Sequence, residues 1–198
     1  MTDAQYGNWQ KYQSKNPVQQ ALINRFLGVL TALVDPLEVR SVLDAGCGEG
    51  FVLNMLLQHR PTMNVIGIDI DREAIQRGRK LFPDMPFQVA DVLELPHPDD
   101  SFDLVVCTEV LEHLADPQTA LHEICRVSRR YCLLSVPHEP LFRLSNLLRG
   151  KSILRLGNDI DHLHNWTQIA FVRLLQPHLQ LVAIRRSFPW QIVLGEVK

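Results

Sequence analysis

Three aspartates in the first half of the chain each close a short apolar run: Asp44 ends "SVLD", Asp69 ends "NVIGID" and Asp91 follows "FQVA". Runs of this length and branched character suit strands buried on both faces, so each carboxylate stands at a strand end. After Asp44 comes "AGCGEG", with glycine at positions 46, 48 and 50. A glycine-rich turn after a strand lets a ligand approach the backbone. A dinucleotide loop, Gly-x-Gly-x-x-Gly, would seat a pyrophosphate on the next helix N-terminus. Here the spacing is Gly-x-Gly-x-Gly, and a carboxylate two residues ahead of Gly46 would repel a diphosphate and welcome an ammonium or a sulfonium. No Gly-Lys-Ser/Thr follows, which excludes a P-loop. Asp69, 23 positions beyond Gly46, can accept hydrogen bonds from ribose hydroxyls, and Asp91 can receive an adenine amino group.

Those acids need a sheet to hold them side by side. The apolar spacing predicts a helix over Val18 to Val34, then alternating elements. Strands are expected at Ser41 to Asp44, Asn64 to Asp69, Phe87 to Ala90, Phe102 to Cys107 and Tyr131 to Val136, with helices at Gly50 to His59, Arg72 to Leu81 and Pro117 to Val127. Asp71 and Asp116 are placed to cap the last two helices. Beyond Pro137 the pattern predicts a helix over Pro140 to Arg149, another over Thr167 to Gln176, and an antiparallel strand pair, Leu179 to Arg185 and Gln191 to Val197. The expected fold is α/β: a doubly wound, Rossmann-like, seven-stranded, mostly parallel sheet with an antiparallel last strand. One domain is expected over 1–198, divided into a helical N-terminal lid (1–40), a ligand-binding core (41–137), an acceptor-side insert (138–166) and a C-terminal helix with its strand pair (167–198).

Composition agrees with a soluble protein: 46% hydrophobic and 21% charged residues, with a formal net charge of -2 that gives no general attraction for nucleic acid. The polar start, "MTDAQYGNWQKYQSKNP", has no secretory signal character, and no apolar run reaches membrane-spanning length. Cys47, Cys107, Cys125 and Cys132 show no Cys-x-x-Cys spacing and are expected to be reduced thiols in a cytoplasmic protein.

A ligand that carries an amine, a sulfonium, a ribose and an adenine fits the three acids in order. That ligand is S-adenosylmethionine. The stretches "VLDAGCGEG", "GIDID", "ADVLELP" and "FDLVVCTEVLEHL", between Val42 and Leu114, resemble the class I S-adenosylmethionine-dependent methyltransferases, especially a small-molecule branch similar to quinone-biosynthesis methyltransferases. The resemblance implies that Asp44, Ala45, Gly46 and Gly48 surround the methionine part of the cofactor. It further implies Asp69 and Ile70 at the ribose, Asp91 and Val92 at the adenine, and Glu109 beside the transferable methyl. A side chain at Gly46 is expected to enter the methionine space.

Methyl transfer is a displacement at a carbon already activated by positive sulfur, so alignment of donor and acceptor supplies much of the catalysis. Base candidates are Glu109 and His113, after the fourth strand, and His138, after the fifth; Glu112 and His113 could equally brace the next loop. His59, His97, His122 and His178 read as surface residues. Glu109, Glu112 and His113, with His162 and His164 of "DHLHNW", form a set that could bind a divalent metal. That set resembles the metal site of small-RNA 3′-end 2′-O-methyltransferases, but Glu-x-x-Glu-His is widespread in metal-free relatives and the chain lacks a basic RNA-binding extension. No metal is therefore assigned, and no nucleic-acid partner is expected. Pro140 to Gly157 carries Arg143, Arg149, Lys151 and Arg155 and no acid, which suits an anionic or lipid-like acceptor, contact with a membrane surface, or an ordinary solvated helix. Trp9, Tyr12 and the first helix are expected on the other side of the lid. The reading is methylation of O or C on a small or lipid-like acceptor. Rivals are metal-dependent RNA methylation, a non-catalytic S-adenosylmethionine-binding protein and, more distantly, a nicotinamide-dependent oxidoreductase.

Overall fold

The computed structural model describes residues 8–139 and 162–198. Its strands are β1 (Ser41–Ala45), β2 (Asn64–Asp69), β3 (Phe87–Val89), β4 (Phe102–Thr108), β5 (Ser128–Pro137), β6 (Leu179–Ser187) and β7 (Trp190–Val197). They form one seven-stranded sheet in the order β3-β2-β1-β4-β5-β7-β6. β7 pairs antiparallel with both β5 and β6, while the pairs among β1 to β5 are parallel. The expected mostly parallel sheet with an antiparallel last strand is present. Strand order reverses between β1 and β4, and the crevice beyond their carboxyl ends is the natural ligand position.

Helices cover both faces. α2 (Pro17–Val34), α3 (Phe51–His59) and α4 (Arg72–Leu81) lie on one side, where Phe26, Leu30, Leu53, Leu56 and Ile75 pack on Val42, Leu104, Val106 and Leu133. α5 (Pro117–Val127) and α6 (Gln168–Leu175) lie on the other, where Leu121, Ile124, Phe171 and Leu175 meet Leu43, Val105, Cys132 and Leu134. Each such side chain, removed from water, stabilises the fold by about 1.5–3 kcal/mol before entropy is counted. This two-sided burial is why the central strands read as continuous apolar runs.

The helix starts follow local chemistry. Asp71 accepts from the Glu73 N–H at the start of α4, and Asp116 accepts from the N–H groups of Gln118 and Thr119 ahead of Pro117. β5 begins three residues earlier than its apolar run, because Arg129 and Arg130 point outward to Asp103 and Glu196 while Ser128 and Tyr131 turn inward. The helix expected at Pro140 to Arg149, and the basic stretch to Gly157, lie outside the described residues. All four cysteines are free thiols, and Cys47, Cys107 and Cys132 are buried. His97 and His178 are half-buried rather than surface residues, because His97 packs edge-on against Phe102 and the ring of His178 is partly enclosed after α6. No described helix is long and apolar enough to cross a membrane.

Candidate functional site

The loop after β1 is folded by its own backbone. The N–H groups of Gly46 and Cys47 both donate to the Ile68 carbonyl, at 2.8 and 2.9 Å, so the turn hangs on the neighbouring strand end. Gly46 has φ +83°, and a Cβ there would stand 2.2 Å from Val110 Cγ2. Contact with Val110 therefore demands glycine here whether or not a ligand is bound. Gly50 has φ +85° and would meet Phe87, so it lets α3 start tightly against β3.

Asp44 is 1% exposed, and neither carboxylate oxygen has a hydrogen-bond partner among the described residues. Burial, and then the neighbouring Asp69, push its carboxyl up to about 8. A buried acid without a donor is costly unless a cation or a proton joins it. Asp69, at the end of β2, is already engaged: Oδ2 accepts from Gly48 N–H at 2.7 Å and Oδ1 from Asp71 N–H at 2.8 Å. Each oxygen keeps a second lone pair for a ribose hydroxyl. Ile70 beside it is 68% exposed, a bare apolar surface at the mouth of the crevice.

Asp91 is half-buried and its Oδ1 accepts from Leu93 N–H, while Val92 is 7% exposed. Ala90 N–H donates to the Asp69 carbonyl, so the second and third acids stand on adjoining strand ends. Ala45 is fully enclosed at the end of β1 and packs in the core on the α5 side of the sheet.

Beyond β4 the chain turns sharply. Glu109 has φ +59°, rare for a residue with a Cβ, and its N–H donates to the Ser135 carbonyl. It lines a small cavity with Tyr12, Gly46, Cys47, Phe51, Val52 and Thr108. The helix α1 (Asn8–Tyr12) closes that cavity: Tyr12 stacks on Phe51 with ring centroids 4.4 Å apart, and Lys11 forms an ion pair with Glu109. The Tyr12 hydroxyl is pushed well above its usual range by burial first and then by Glu109, Asp44 and Glu49.

The other candidate bases lie in different surroundings. His113, in the 3-10 turn Leu111–His113, packs edge-on against His162 at 5.0 Å. Ligand atoms of Glu112, His113 and His162 lie within 4.8 Å of one another. Glu112 is 1% exposed, both its oxygens lack a hydrogen-bond partner among the described residues, and burial followed by Glu109 pushes its carboxyl well up. Its carbonyl accepts from the N–H groups of Leu163 and His164, so the turn also braces the later loop. His164 stacks on Trp166, and Glu109 turns to Lys11; neither belongs to this cluster. His138 N–H donates to the Pro189 carbonyl, and burial and Arg186 lower its imidazole.

Sequence reasoning overlooked Lys11, Ser135 and Trp190. A lone cation in the aromatic segment "NWQKY" was the available signal for the first. The other two stand inside or beside strand runs, and nothing local marks their polar atoms.

Residues 43–135 match a methyltransferase domain family. A probable S-adenosylmethionine-dependent methyltransferase of Mycobacterium tuberculosis is 39% identical over 97 residues, which cover 49% of this chain and 35% of that protein. A ubiquinone biosynthesis O-methyltransferase of Alkalilimnicola ehrlichii is 38% identical over 166 residues, covering 80% of this chain and 62% of its own length. This chain thus spans less than two thirds of either relative. Among solved structures, magnesium protoporphyrin IX methyltransferase of Synechocystis PCC 6803 with bound SAH superposes with a TM-score of 0.72 at 20% identity, over 96% of this chain and 92% of that one, a likeness of fold. The acid-ended strands and the glycine turn all fall within the stretch that matches the methyltransferase domain family, and over it the chain is similar to S-adenosylmethionine-dependent methyltransferases.

Proposed function

We propose that the protein transfers the methyl group of S-adenosylmethionine to an oxygen or carbon of a small or lipid-like acceptor. The observation that carries this reading is Asp44: a buried carboxylate without a donor, at the root of a glycine turn, is a receptor for a cation. The cofactor supplies a methyl group on positively charged sulfur. Asp44 would balance its positive charge, the glycine turn would admit its methionine part, Asp69 and Ile70 would hold the ribose, and Asp91 with Val92 the adenine. Glu109, held on strained backbone beside the same cavity, is the residue placed to take a proton from an acceptor, and α1 excludes water above it. The small acceptor draws support from the likeness to the ubiquinone O-methyltransferase. The test is titration calorimetry with adenosylhomocysteine, followed by transfer of labelled methyl from S-adenosylmethionine into cell extract. Saturable binding with labelled product is expected; saturable binding without turnover would favour a binding protein over an enzyme.

The cluster of Glu112, His113 and His162 favours a second reading, in which a divalent cation assists methylation of an RNA 2′-hydroxyl. Metal content measured after purification, for the wild type and for His162→Ala, separates the two. Stoichiometric metal lost in the variant supports the second reading; absence of metal from both, with activity indifferent to chelator, removes it.

A further inference from the structure

We infer that Lys11 selects the acceptor, holding an ionised oxygen, a phenolate or a similar oxyanion, against the donor methyl; the inference rests on the methyl-transfer reading above. Lys11 Nζ is ion-paired to Glu109 and lies over the Trp190 ring at 4.6 Å, with the Tyr12 and Phe26 rings at 5.4 and 5.8 Å. An ammonium offers three donor hydrogens. Among the described residues Glu109 is its one hydrogen-bond acceptor, and aromatic faces occupy other sides.

The floor beneath it is rich in donors. Register pairs Thr108 with Ser135, Ser135 with Ile192, and Pro137 with Trp190, which places Thr108, Ser135 and Trp190 on one face of the sheet. Ser135 Oγ and Trp190 Nε1 are buried and have no hydrogen-bond partner among the described residues. Tryptophan can only donate, lysine can only donate, and serine can do either. Thr108 and Glu109 line the same cavity as Gly46, so this end of the sheet face borders the donor side. Lys11 offsets the charge of Glu109, and a bound sulfonium would offset that of Asp44, so an anion can be admitted between the two cations.

The chemistry balances without another reactant. The acceptor hydroxyl loses its proton by way of Glu109 to solvent, favoured by the ammonium. Its oxygen then forms the new O–C bond, the C–S bond breaks with its electron pair passing to sulfur, and an ether and adenosylhomocysteine result. A lysine that merely pinned α1 to Glu109 would hold the lid equally well over any ligand, charged or neutral.

The experiment uses the protein saturated with adenosylhomocysteine and three probes: 4-nitrophenol, whose anion absorbs visibly and which ionises near neutrality, nitrobenzene as its neutral counterpart, and benzylamine as a cation. The wild type should bind the phenolate about tenfold or more tightly than nitrobenzene, the effect of a charge-assisted hydrogen bond, and its visible band should rise at lower pH than in buffer. Lys11→Met should abolish that preference and Lys11→Arg should retain it, with circular dichroism confirming that each variant is folded. Equal binding of phenolate and nitrobenzene by the wild type overturns the inference without recourse to any variant. So does a preference for benzylamine, or a phenolate preference that survives Lys11→Met. Failure of the wild type to bind adenosylhomocysteine at all would instead sink the methyl-transfer reading, and this inference with it.

Discussion

A carboxylate enclosed at the end of β1, with neither oxygen hydrogen-bonded, makes the stability of the protein depend on pH in a defined direction. Asp44 titrates at about 8 in the fold against an ordinary 3.8, so between those values the folded chain binds a proton that the unfolded chain has lost. Stability from this group is therefore full at acid pH and falls as pH rises toward 8, by at most about 1.4 kcal/mol per pH unit. Asp44→Asn cannot titrate, so its melting temperature should gain on the wild type steadily from pH 5 to pH 8 (roughly the window those two values span). Parallel melting curves across that window would show that Asp44 is not held protonated. Asp69 works differently, because it ties Gly48 and is the residue proposed to hold the ribose. Asp69→Ala should weaken adenosylhomocysteine binding by roughly 1.5–3 kcal/mol, about ten- to a hundred-fold, in calorimetry. Unchanged affinity would remove Asp69 from the cofactor site.

Elements were legible where their ends are written locally. Arg72–Leu81 and Pro117–Val127 follow directly from Asp71, Asp116 and Pro117, and their helices begin where those caps accept. Asp116→Ala should cost about 1 kcal/mol in thermal unfolding, since two backbone N–H groups lose their acceptor. The glycine turn was also legible in position, but the reason for Gly46 was not, because Val110 comes from another strand end. Gly46→Ala should cost about 2–4 kcal/mol, from left-handed backbone plus the clash, and Val110→Ala in the same chain should recover part of it. No recovery would mean that backbone strain alone sets the penalty. What sequence could not show is pairing between distant segments. Lys11 and Glu109 are 98 positions apart, and neither local pattern contains a hint of the other. The early start of β5 was hidden for a related reason: Arg129 and Arg130 look like loop until Asp103 and Glu196 are brought beside them.

On the scale of the whole molecule, burial is uneven. β1, β4 and β5 lie inside the sheet with helices on both faces, whereas α1 is a five-residue helix held over the cavity by Tyr12 and Lys11. Amide hydrogen exchange should therefore be slowest in β1, β4 and β5 and fastest in α1, and adenosylhomocysteine should slow exchange in α1 more than in β6. Uniform protection, or no response of α1 to ligand, would separate that helix from the site. The strand order carries one more implication. β7 stands between β5 and β6, so β6 has no place to attach until β7 has formed on the flank of β5. The two form one antiparallel hairpin that carries Trp190. The wall facing Lys11 thus belongs to that hairpin, and a chain cut before it would keep the strand ends of Asp44, Asp69 and Asp91 but lack the ring beneath the ammonium.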